Sequence, residues 1–218
     1  MSLRPSRQSS EPFYVVPADT AVDKIIAPPP APGSAQYEAD LQTLLDLQRT
    51  RSDAEIKDAQ ADAQLTVFRF ADVLGPEFRA EKLPITTKFL RQIGTDVGRA
   101  AGLGKESFHR PRPYVSNPQI MPIIEKPGGD SYPSGHAAYG YVNGILLAMM
   151  VPEKAPELFA RAVRYGRNRN IAGVHYPSDV EAGRTVASIV VALALRNPQF
   201  VTDLAESKAE LRGVLGLK

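Results

Sequence analysis

The chain has no cysteine, which excludes disulfides and thiolate metal sites while leaving the redox compartment open. No apolar run reaches the length of a membrane span. The longest, residues 186–195, is about half of the ~20 residues needed, and Arg184 and Arg196 flank it. The first residues, Met1-Ser2-Leu3-Arg4, lack the apolar core of a signal peptide, so no leader is expected in this sequence. Excess charge of one sign is missing too. The net charge is +2, so no global field argues for a nucleic-acid polymer, and any positive field must be local. Period-two alternation persists nowhere, which argues against strands. Histidine is scarce, at His109, His136 and His175.

What is present fits one domain with a sizeable core: 218 residues, 43% apolar and 23% charged. Residues 1–36 are polar and Pro-rich and read as an extended arm, whose apolar patch at 13–16 docks on the body. Residues 37–218 read as one helical domain. Leu41, Leu44, Leu45 and Leu47 share a first helix. Ser52 and Glu55 form a capping box for a second, which carries Ile56, Leu65, Phe68 and Val73 and stops at Gly75-Pro76. Ile85, Phe89, Ile93, Val97 and Ala101 predict a helix over 84–103. Residues 104–133 read as loop. Further helices are predicted from Ser134, over 156–167, over 177–196, and from Asn197-Pro198 onward. The fold class expected is all-α, a compact single-domain bundle of about seven to nine helices.

Chemistry concentrates where Gly128-Gly129-Asp130-Ser131-Tyr132-Pro133-Ser134-Gly135-His136 breaks regular structure just before a helix. Ser134 is placed as the N-cap. The amides of Gly135 and His136 then point out of the positive end of the helix, a seat for an anion. His136 on its rim can exchange protons with whatever carries that anion. Further on, Pro177 opens a helix and puts Asp179 near N3, within reach of His175. A carboxylate on one ring nitrogen leaves the other as a lone-pair donor, the state of a nucleophilic or basic histidine. A plain helix cap beside a surface histidine is the other reading of that pair. Lys105, Arg112 and Arg169 sit in segments beside helix ends. Forked Arg contacts, Lys charge, hydroxyls and helix-start amides are what hold phosphate. Arg110 is a further cation, but its position fits such a site less well than that of Arg112.

Lys105-x6-Arg112-Pro113, then Pro133-Ser134-Gly135-His136, then Arg169-x5-His175-x3-Asp179, resembles the signature of the type 2 phosphatidic acid phosphatase superfamily. Within it, residues from about 25 to 212 resemble the bacterial class A non-specific acid phosphatases. Each motif alone is weak, and their order and register carry the resemblance. It implies that Lys105, Arg112 and Arg169 bind phosphate oxygens, with hydrogen bonds from Ser134 and the Gly135 amide. It implies that His175 attacks phosphorus, that Asp179 orients it, and that His136 protonates the leaving alcohol. It implies small phosphomonoester substrates, transfer to alcohols as a side activity, and no required cofactor or metal, with phosphate or vanadate able to fill the site. It implies a periplasmic or secreted home and allows a homo-oligomer. The family usually has Ser before the third-motif Arg. Here Asn168 stands there, and tuning rather than loss is expected.

Rival readings remain at this level. A metal hydrolase could use His109, His136, His175 and Asp179 as ligands. The cations oppose it, because two unit charges about 4 Å apart repel by ~4 kcal/mol at an effective dielectric of about 20, and the spacing matches no common zinc pattern. A vanadium-dependent haloperoxidase would use the same oxyanion site. A non-catalytic phosphate-binding helical module would keep the motifs without turnover.

Overall fold

In the computed structural model, which describes residues 11–218, the chain winds into ten α-helical segments. They are α1 (Val22–Ile25), α2 (Ala35–Thr50), α3 (Asp53–Ala61), α4 (Ala71–Leu74), α5 (Pro84–Phe108), α6 (Pro113–Ser116), α7 (Gly135–Met150), α8 (Ala155–Ile171), α9 (Pro177–Ala194) and α10 (Pro198–Val214). Seven of these run nine residues or longer, and α1, α4 and α6 are single turns. Among the described residues there is no strand, so the fold is an all-α bundle. No helix among them is long and apolar enough to cross a membrane.

The centre of the bundle is α7. It buries Ala137, Ala138, Tyr141, Val142, Leu146, Leu147 and Met150, so apolar surface runs nearly all round it. Such a helix must be wrapped on every side, and α8, α9 and α5 do so. Glycine permits the close approach. A Cβ on Gly144 of α7 would lie 2.6 Å from the Ala162 Cβ of α8. One on Gly183 of α9 would lie 2.5 Å from the Ser134 carbonyl oxygen. The second contact seats the start of α9 directly against the start of α7, and both starts carry motif residues.

Local signals set several helix starts as expected. Ser134 caps α7 by accepting from the Ala137 amide, Ser52 and Glu55 form the box that opens α3, and Asn197 caps α10. Elsewhere tertiary contacts move the boundaries. The single helix expected from Ser52 to Gly75 is broken after Ala61. There Asp62 turns inward onto Arg161, and the chain resumes as a 3-10 turn, Val67–Phe70, followed by α4. Helix α5 continues past residue 103 to Phe108 and ends at His109, which adopts a left-handed φ of 48°. Lys105 is therefore helical, not in a loop. Helix α8 continues past residue 167, so Arg169 is helical as well. Within the expected extended arm, residues 1–10 lie outside the described residues. The remainder holds a 3-10 turn, Pro17–Thr20, and the α1 turn. Of the apolar patch, Tyr14 and Val15 are buried while Phe13 and Val16 are exposed. The amides of Phe13, Tyr14 and Val15 all donate to the Asp96 carboxylate, which fastens this segment to α5.

Candidate active site

Helix α9 begins at Pro177, and its N3 residue, Asp179, reaches back to accept from the Tyr176 amide at 2.8 Å. The same oxygen lies 3.2 Å from His175 Nδ1 and accepts from Ser131 Oγ at 2.5 Å. The other carboxylate oxygen accepts from Arg110 at 2.7 Å. Burial opposes the charge on Asp179, but His175, Arg110 and Ser131 together hold its carboxyl below the usual range. On the far side of the ring, Arg112 donates to His175 Nε2 at 2.8 Å. A guanidinium can only donate, so Nε2 carries the lone pair and Nδ1 the proton. His175 is almost wholly buried, and that burial, with the charges of Arg112 and Lys105, lowers its pKa to about 3 against the pull of Asp179. The ring stays neutral in all but strongly acidic solution.

The charges of Arg112 and Lys105 bear on this ring, and Arg169 lies near Arg112 and near His136. Arg112 is buried and is braced by the carbonyls of Gly129 at 3.1 Å and Val174 at 3.0 Å. Lys105 donates to the Asp130 carbonyl at 2.5 Å, and burial with the nearby Arg112 lowers its pKa to about 8. Arg169 is 1% exposed, and its Nε and NH1 have no hydrogen-bond partner among the described residues. Burial lowers its pKa to about 10. A buried guanidinium with idle N–H groups is an unfilled demand for an anion.

At the start of α7, Ser134 spends its Oγ lone pair on the Ala137 amide and gives its own amide to the Asp179 carbonyl at 2.9 Å. The amides of Gly135 and His136 have no acceptor among the described residues. His136 Nε2 lies 3.0 Å from the Ala63 carbonyl oxygen, which can only accept. Nε2 therefore bears hydrogen and Nδ1 is the free position. Burial, then the charge of Arg169, lowers the His136 pKa to about 4, with Arg112 and Lys105 adding to the effect. The charges of Arg112 and Lys105 thus bear on both imidazoles.

Lys105, Arg112, His175 and Asp179 lie together, Arg169 and His136 adjoin them, and Ser134 and Gly135 stand at the neighbouring helix start. His109 stands apart, its side chain 73% exposed and facing Asp130. Among the described residues no three His, Asp or Glu side chains come together as a metal site. Asn168 donates to Asp58 at 2.9 Å and to Asp62 at 2.8 Å.

Arg110, which fits the motif spacing less well than Arg112, is built into the support of Asp179. It is buried, lies 3.8 Å over the Tyr176 ring, and links Asp179 to Asp40 and Ser178. Ser131 lies in the loop that the second motif singles out but has no role assigned by it, and Asp40 carries no sequence signal. The Arg-Pro-Arg run is the one local hint, since it sets two cations two residues apart on extended backbone.

The chain matches the PAP2 superfamily over residues 86–203 and belongs to that family. The matched stretch holds every cation and both histidines of the cluster. The non-specific acid phosphatase of Salmonella typhimurium is 30% identical, over 94% of this chain and 86% of its own. That of Providencia stuartii is 31% identical, over 91% and 84%. The crystal structure of the first bacterial vanadium-dependent iodoperoxidase superposes with a TM-score of 0.61 at 17% identity, covering 78% of this chain and 52% of that one. That likeness is one of fold alone.

Proposed function

We propose that the protein is a metal-independent acid phosphatase that hydrolyses small phosphate monoesters through a phosphohistidine. The observation that carries this reading is the state of His175: Nδ1 tied to Asp179, and the Nε2 lone pair facing the buried Arg112 with the charge of Lys105 close by. The phosphoryl group sits among Arg169, Arg112 and Lys105, with the Gly135 amide and the Ser134 hydroxyl hydrogen at its edge. Its transition state asks chiefly for in-line positioning and charge stabilisation, which these groups supply. Nε2 attacks phosphorus as the bond to the ester oxygen breaks. His136 Nδ1 gives that oxygen its proton, and the alcohol leaves. Water then attacks phosphorus from the vacated side and gives a proton to His136. The P–N bond breaks, and His175 returns to its neutral form. An alcohol in place of water yields phosphotransfer. The named relatives support acid phosphatase chemistry, and a periplasmic or secreted home belongs to the same reading.

The test is nitrophenyl phosphate hydrolysis in excess chelator, with and without vanadate. Full activity with chelator and loss with vanadate are expected. Loss on chelation, restored by a divalent ion, would overturn metal independence.

The pH dependence follows from the two rings. His175 must be neutral to attack, and with a pKa of about 3 it meets that condition except in strong acid. His136 must be protonated to act, and in the empty site it loses its proton above about 4. A bound phosphate neutralises Arg169, Arg112 and Lys105, so the His136 pKa rises in the complex. Activity is therefore lost as pH rises, and the alkaline limb of kcat falls at higher pH than that of kcat/KM. Coincident limbs, or flat profiles over about pH 4 to 8, would contradict the assignment.

A further inference from the structure

Asp62 ends α3 with its carboxylate fully buried. Arg161, itself buried, donates to both oxygens at 3.0 and 2.6 Å, and Arg69 adds a bond of 2.7 Å. The remaining donor is Asn168 of α8, at 2.8 Å. Although burial opposes the charge, Arg161 and Arg69 hold the carboxyl below its usual range. The residue after Asp62 is Ala63, whose carbonyl accepts from His136 Nε2. The residue after Asn168 is Arg169, the cation with idle N–H groups. A single carboxylate thus lies between the carbonyl that orients one ring and the helical turn that carries a phosphate-seeking guanidinium. Buried ion pairs hold only when their geometry is tightly fixed, so this junction resists small displacements.

We infer that Asp62 is a positioning residue for His136. It ties the turn after α3 to α8, keeps the Ala63 carbonyl against Nε2, and so presents Nδ1 to the leaving oxygen. Asn168 belongs to this clamp and not to the phosphate seat. The inference rests on the reading of His136 as the general acid.

The test compares two substrates in the full chain. Nitrophenolate leaves without needing a proton. Glycerol phosphate expels an alkoxide that needs one. Asp62→Asn should lose about tenfold more activity on glycerol phosphate than on nitrophenyl phosphate, as expected for a misplaced acid. Vanadate inhibition should be unchanged. Equal losses on both substrates in a folded Asp62→Asn protein would overturn the inference. Should that variant fail to fold, Ala63→Gly loosens the same carbonyl and leaves the ion pairs intact. It should show the same bias, and an unchanged substrate ratio would overturn the inference. His136→Ala is run alongside. If it treats both substrates alike, the general-acid reading itself has failed. If it discriminates while the other variants do not, only the positioning role of Asp62 falls.

Discussion

His175→Ala should stop turnover and still bind oxyanions. With the attacking nitrogen gone, no other group of the proposed mechanism forms the covalent intermediate, and losses on the order of 10⁴-fold or more are usual when a nucleophile is deleted. Binding should survive because the seat is built from other parts. Arg112 loses one partner at Nε2 but keeps the carbonyls of Gly129 and Val174. Arg169 and Lys105 are not hydrogen-bonded to the ring, and the α7 amides belong to a different helix. Removing a buried neutral imidazole also lets the oxyanion approach without displacing Arg112 from Nε2. The measurements are nitrophenyl phosphate turnover and the rise in melting temperature that phosphate or vanadate produces. Normal turnover would refute the nucleophile assignment. Loss of the ligand-induced rise along with turnover would show that His175 chiefly supports the shape of the seat.

How much of this was legible in the sequence depended on how far each signal had to reach. Ser134 and Asp179 could be placed because a helix cap is settled within four residues of itself. The spacing from Arg169 to Asp179 was readable because helix geometry and a tight turn connect them. Helix ends were less readable. The break after Ala61 is caused by Asp62 meeting Arg161, 99 positions away. The prolongation of α5 is tied to Gly104, where a Cβ would lie 2.6 Å from Pro133. The supporting groups of the site were the least visible. Ser131 finds Asp179 48 positions later, and Arg110 finds Asp40 70 positions earlier. No local pattern marks a serine or an aspartate for such a meeting. Those residues read as ordinary polar positions until the bundle closes. Lys105 and Arg169 show the mixed case: the motifs single them out, while the helical backbone that carries them was not legible.

The second large effect concerns Arg169, and it separates function from stability. Replacing it with methionine should lower kcat/KM by about 10³-fold or more, since even one oriented donor to the reacting oxygens is worth 10²–10³. The empty protein should become more stable, by about 1 kcal/mol or more. The reason is electrostatic. Arg169 is 1% exposed, forms no ion pair among the described residues, and leaves Nε and NH1 unbonded. Burial and the nearby charge of Arg112 already disfavour its protonated form. An apolar side chain of similar length removes that cost and fills the same space. The wild-type protein recovers the cost only when an oxyanion arrives. At phosphate near 100 times its dissociation constant, binding stabilises a fold by about 2.7 kcal/mol. The variant should forgo most of that gain. Melting curves with and without phosphate would show a higher baseline and a smaller shift for Arg169→Met than for the wild type. A lower melting temperature without ligand would mean that Arg169 supports the bundle itself, and its unpaired N–H groups would then no longer argue for an anion seat.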